Sequence, residues 1–242
     1  MAHGAKDCSN VLMPDQAFRL DDLGEHAARL GSPVLYSRSG NVLFMEDFQS
    51  GLDGWEQVHP GVGSSIELET LHSYMGSVSC QVVASAGGIT ESTLIKHLPL
   101  PMTGHLGFAM LYQLWQEVYY ILWEIDYSLA GSRYYLPIAY YPQTGSLVQQ
   151  SGWPGASVFA THYIQPADIS GFHQVKLIVD VDSPTYVSLD LDGVKYDMSA
   201  YTAPAFAPLS CPRLDVRVDV AARGGDEAIV TLDNVIVTFN EP

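Results

Sequence analysis

Glu124-Ile125-Asp126 is the stretch of this 242-residue chain best placed to do chemistry. On a β-strand alternate side chains share a face, so Glu124 and Asp126 would project together, two residues of rise apart. Two carboxylates on one face are the raw material of general acid–base work. Aromatic residues crowd around them, among them Tyr119, Tyr120, Trp123, Tyr127, Tyr134, Tyr135, Tyr140 and Tyr141, with Trp153 further on. Rings left outside a core can serve as stacking platforms for sugars, which makes Glu124, Asp126, Tyr127 and Trp153 candidate ligand-binding residues. Trp123 should face away from Glu124, toward the core, and consecutive tyrosines should split between the two faces of a strand. Other chemistries find no footing. The eight histidines are scattered without zinc-ligand spacing. There is no Gly-x-Ser-x-Gly, no phosphate-cradling glycine loop and no Cys-His nucleophile arrangement.

The elements that must position these residues read as strands. Gln174–Met198 is the clearest case: Val175, Leu177, Val179 and Val181 alternate with polar or opposite-facing residues, and Val187, Leu189 and Leu191 do the same. Asp192-Gly193 follows as a two-residue hairpin turn, because both positions of such a turn need positive φ. Further strands are expected at Leu106–Trp115, Tyr119–Tyr127 and Tyr134–Tyr140, the last two joined by an Ala130-Gly131-Ser132 turn. Leu214, Val216, Val218 and Val220 form another half-buried strand, with a turn at Ala222–Asp226 before the closing strand Ile229–Phe239. Roughly a dozen short strands at regular spacing describe a single two-sheet antiparallel sandwich over residues 41–242. Residues 1–40 differ. They are polar and irregular, with one short helix at most around Leu23–Leu30, and read as an extended N-terminal arm.

Composition narrows the partners. Eleven basic residues face 27 acidic ones, for a formal charge of −16. Such a surface repels phosphate backbones and anionic lipids, which argues against nucleic acid and membranes. The start of the chain lacks the basic and apolar run of a signal peptide, and no segment has transmembrane length. Cys8, Cys80 and Cys211 are odd in number and lack metal spacing; they fit reduced thiols, with a Cys80–Cys211 disulfide left open.

Three phrases carry a resemblance. Residues 44–55, FMEDFQSGLDGW, resemble the E-D-F-E-x-G-x-x-G-W opening of carbohydrate-binding modules and related lectin-like jelly rolls. SLDLDGVKYDM resembles the x-D-G-x-x-Y hairpin of laminin-G and concanavalin A-like sandwiches, and TLDNVIVTF the D-N-V-x-V strand that closes many such modules. The resemblance implies an all-β, two-sheet antiparallel jelly roll of the concanavalin A type. It also implies a structural calcium ion held by Glu46, Asp47 and Asp233, since carbohydrate-binding modules similar to this one join acidic residues of the first and closing strands around a cation. Glu124-x-Asp126 is similar to the Glu-x-Asp-x-Glu of concanavalin-like endoglucanases, in which the third carboxylate is the acid/base. Here that position holds Ser128, or Leu129 in the bulged variant, so catalysis is not expected.

Two functional expectations follow. A jelly roll with an arm and no catalytic set fits a structural subunit, such as a virion-associated capsid decoration protein attached through residues 1–40. Its partners would be other protein subunits and copies of itself, in a virion or the host cytoplasm. The alternative is a lectin-like module that binds glycan on its aromatic face; a degenerate glycoside hydrolase comes third.

Overall fold

A computed structural model describes residues 40–242 apart from 75, 100–103, 116, 130, 151–155, 165–170 and 208–212. The expected arm therefore lies outside the described residues except for Gly40, as do Trp153, Cys8 and Cys211. Sixteen strands follow in chain order. The first eight are β1 (Asn41–Glu46), β2 (Glu56–Val58), β3 (Ser65–Glu69), β4 (Ser79–Ala84), β5 (Gly88–Leu98), β6 (His105–Leu114), β7 (Val118–Leu129) and β8 (Ser132–Tyr141). They continue as β9 (Ser146–Gln150), β10 (Ala156–Thr161), β11 (His173–Asp180), β12 (Thr185–Leu191), β13 (Val194–Asp197), β14 (Ala205–Phe206), β15 (Leu214–Gly224) and β16 (Ala228–Phe239).

Every pairing is antiparallel, and the strands form two eight-stranded sheets of a jelly-roll sandwich. The first sheet runs β13-β12-β11-β6-β16-β4-β3, with β1 also on β16; the second runs β10-β9-β8-β7-β15-β5-β2, with β14 on β8. The core lies between them. Alternation selects Ile121, Trp123, Ile125 and Tyr127 of β7 and Val216, Val218 and Val220 of β15 for that core, against Phe108, Met110 and Tyr112 of β6. Fully burying one such aliphatic side chain contributes roughly 1.5–3 kcal/mol.

The expected hairpin is present between β12 and β13, and Asp192 and Gly193 take φ of 51° and 78°. β15 runs on to Gly224, past the start of the expected Ala222–Asp226 turn, because its ladder to β5 extends as far as Gly224↔Gly88. The short strands β2 and β14 carry too few residues to show a period.

The two phrases at the domain ends have structural jobs. Glu46 accepts hydrogen bonds from the Phe48 backbone (3.0 Å) and from Trp55 Nε1 (3.4 Å), folding the turn so that Phe44, Phe48 and Trp55 pack together. Lys96 lays its ammonium over Phe44 (4.6 Å) and Trp55 (5.5 Å), where burial lowers its pKa. Asn234 and Val235, just after Asp233, form a bulge in β16, with Asn234 at φ 47°. That bulge is where β16 hands its pairing over from β4, at residues 228–232, to β1, at residues 235–239.

Candidate functional site

The outer face of the second sheet gathers the chemistry. Registry sets rows across it: His97, Asp215, Asp126 and Tyr135; then Ile95, Arg217, Glu124 and Pro137; then Thr93, Asp219, Leu122 and Ala139. Glu124 and Asp126 do share this face, as the spacing requires. Neither is open to water, with exposures of 1% and 3%. Long neighbouring side chains cover them.

Each aspartate on the face is clamped. Arg133 Nε lies 2.9 and 2.8 Å from the two oxygens of Asp126, and its Nη2 donates to Oδ2 as well. Asp219 accepts from Thr93 (2.6 Å) and from Arg217 Nε (2.7 Å). Asp215 meets His97 Nδ1 at 2.6 Å, and Arg213 Nε lies 2.8 Å away as an ion pair without the alignment of a hydrogen bond. His97 reaches Glu56 through its other nitrogen (2.8 Å), fastening β2 to the sheet, and the Asp215 bond raises its pKa.

Glu124 is different. It takes a hydrogen bond from the Tyr135 hydroxyl, but its Oε2 is buried with no partner. Burial pushes its pKa up to about 8, against the pull of Arg217 and Tyr135. At neutral pH the group is largely a neutral acid.

One end of the face is aromatic. Register slips between Ala221 and Ala222, so that Ala221 pairs with Tyr120 and Ala222 with Val118. The extra residue of this bulge is Tyr119. Tyr119 and Tyr120 therefore stand on the same face, contrary to the strict alternation expected. With Tyr141 they form a trio whose ring centroids lie 5.4–5.6 Å apart. Arg223 caps it, its guanidinium 4.8 Å over the Tyr119 ring and its Nη1 donating to the Tyr119 hydroxyl (3.1 Å). Between trio and clamps lies an apolar floor of Leu122, Ala139, Val148 and Ala221.

The remaining candidates fall elsewhere. Tyr127 is corrected from ligand binding to core: it shares the inward register of Trp123 and Ile125, is fully buried and packs on Tyr134. Trp153 lies outside the described residues. Glu46 holds Trp55, Asp47 accepts from Gln49 N (3.1 Å), and Asp233 accepts from Tyr74 N (2.7 Å) and Asn234 N (2.8 Å). Among the described residues no three His, Cys, Asp or Glu side chains stand together as a metal site. Cys80 is a free, buried thiol whose pKa burial raises. No helix of the described residues is long and apolar enough to cross a membrane.

No family model matches the chain, and no curated protein does. Solved structures do match, at the level of fold. An endo-β-1,4-glucuronan lyase from the fungus Trichoderma reesei aligns over 82% of this chain and 96% of its own, with 14% identity and a TM-score of 0.58. A carbohydrate esterase from the Shiga toxin-encoding bacteriophage phi24B aligns over 84% of this chain and all of its own, with 11% identity and a TM-score of 0.53. A xylan-binding domain from Paenibacillus barcinonensis covers 86% of this chain and 99% of its own, at 10% identity and a TM-score of 0.42. The likeness is one of fold: the chain shares the β-sandwich of the lyase and the esterase.

Proposed function

We propose that the chain binds glycan on the outer face of its second sheet. The observation that carries this reading is the Tyr119, Tyr120 and Tyr141 trio, which a bulge assembles on a surface instead of dividing it between surface and core. Clustered rings of this kind can offer their faces or edges to the C–H faces of sugars, and the hydroxyls offer hydrogen bonds. The apolar floor and the fixed charges beside the trio continue the surface along the sheet. The fungal lyase and the phage esterase are named for action on carbohydrates, and their shared scaffold is in keeping with this reading, though a scaffold alone does not set function.

The reading is of binding without cleavage. A nucleophile or general base needs a carboxylate free to act, and Asp126, Asp215 and Asp219 are each held by an arginine and, for the last two, by a further donor.

Isothermal titration against xylan, β-1,4-galactan and β-1,4-glucuronan tests the reading. The doubly substituted Tyr119→Ala, Tyr141→Ala protein should lose about tenfold or more in affinity for whichever polymer the native chain binds, at about 0.5–1.5 kcal/mol per aromatic contact. Binding that survives the double substitution, or a native chain that binds none of the three, would sink it.

A further inference from the structure

The arginines are distributed unevenly. Among the described residues the basic side chains are Lys96, Arg133, Lys176, Lys195, Arg213, Arg217 and Arg223. The four arginines among these described residues all lie on the outer face of the second sheet, although the chain carries a net charge of −16. Three are mounted alike. The aspartates beneath are almost fully buried, with 4%, 6% and 4% of the side chain exposed for Asp126, Asp215 and Asp219. The arginines above them keep 32%, 33% and 28% exposed. Asp215 and Asp219 engage Arg213 and Arg217 at Nε, and no described carboxylate pairs with the Nη nitrogens of these two arginines. Arg223, at the tyrosine trio, has no carboxylate partner among the described residues; its contacts are the Tyr119 ring and hydroxyl.

Resting on the glycan reading above, we propose that this face takes a polysaccharide bearing carboxylate groups, a polyuronate, with Arg223 and Arg217 as the residues that read its charge. A guanidinium fork matches a carboxylate with two parallel hydrogen bonds, which an ammonium cannot do. Stacking of a sugar ring on the trio would bring its carboxylate toward Arg223. Arg217 lies six residues away along β15, about 20 Å by strand rise, so the two arginines span several sugar units of an extended chain. Glu124 adds to this, because a carboxyl kept protonated beneath Arg217 removes one repulsive charge from the face near neutral pH.

The test compares β-1,4-linked oligoglucuronate with the same oligomer after carboxyl reduction, titrated into the full chain. The native chain should bind the acidic probe at least tenfold more tightly, and added salt should weaken that probe alone. Arg223→Gln leaves no buried aspartate without its partner; it should lower affinity for the acidic probe about tenfold, well beyond any change on the reduced one. Arg217→Gln is paired with Asp219→Asn so that no buried charge is stranded, and should show the same selectivity. Lys195→Gln, exposed on the β13 edge strand, should change neither. Equal affinity for the two probes, or equal losses on both in the Arg223 variant, overturns the charge reading and leaves glycan binding standing. Binding of neither probe, together with none of the neutral polymers above, overturns both.

Discussion

Both sheets carry charged residues on their outer faces, yet they hold them in different ways. On the first sheet Lys176 and Glu241 pair at 2.8 Å with almost nothing exposed on either side chain, and Glu241 also accepts from Thr238. Gln81 donates to Glu69 (2.9 Å) and Trp115 to Thr231 (2.9 Å), so donors and acceptors meet inside the face. On the second sheet the acids are buried, the arginines stand open above them, one carboxyl oxygen has no partner, and three tyrosines share one end. A charge sealed on both sides can only support the fold. A charge anchored from below and open above can also meet something else.

The largest effect should come from breaking the sealed pair. Lys176→Met leaves Glu241 buried beside an apolar side chain, and removing one partner of a buried pair costs about 3–5 kcal/mol. Urea denaturation should show that loss while glycan affinity of the folded protein stays unchanged. A small cost, or a loss of affinity with stability intact, would erase the distinction between the faces.

Next comes Glu124→Gln, which should act oppositely. The folded state holds the Glu124 proton up to about pH 8, whereas the unfolded chain releases it near 4.5. Between those values the native state binds more protons than the unfolded one, so native stability falls as pH rises through this window and levels off above it. Glutamine carries no titrating proton. It should flatten that slope and leave the variant more stable than the native chain at pH 9, by on the order of a few kcal/mol. Denaturation midpoints at pH 5, 7 and 9 measure it, and parallel curves for the two proteins would remove Glu124 as a buried neutral acid.

These contrasts were only partly legible in the residues. Period-2 alternation places Glu124 and Asp126 together and sends Trp123, Ile125 and Tyr127 to the core, a register at odds with a ligand-binding role for Tyr127. The Asp192-Gly193 turn was readable because two positive φ angles leave few residue choices. The Tyr119 bulge was not, since a slip of register is settled by how β15 meets β7 far along the chain, and no local composition marks it. The arginine clamps were hidden for the same reason. Arg217 and Asp219 are two apart on one strand and could be suspected, but Asp126 meets Arg133 only across the β7–β8 hairpin. The phrase around Glu46 was recognisable as a motif, while its use as a seat for Trp55 depends on how the turn closes.

The smallest effect concerns His97, at the border of the open face, where the imidazole bridges Asp215 and Glu56. The Asp215 hydrogen bond is the main cause that raises its pKa above the ordinary histidine value, against a counter-pull from burial. A group with a raised folded pKa contributes stability that is complete below the unfolded value, near 6.5, and fades as pH rises through the folded one. The ring keeps 24% of its surface exposed, so screening limits the contribution to about 1 kcal/mol, or roughly 2–4 °C in melting temperature for a domain of this size. His97→Gln should therefore melt lower than the native chain at pH 6 and approach it at pH 9, so that, as for Glu124→Gln, the variant gains on the native chain as pH rises, but from a deficit at low pH toward parity instead of from parity toward a surplus. The two substitutions bracket the same sheet from opposite sides of neutrality. If His97→Gln instead cost the same at both pH values, the histidine would serve by its shape alone, and the charge at this end of the face would belong to Arg213 and Asp215.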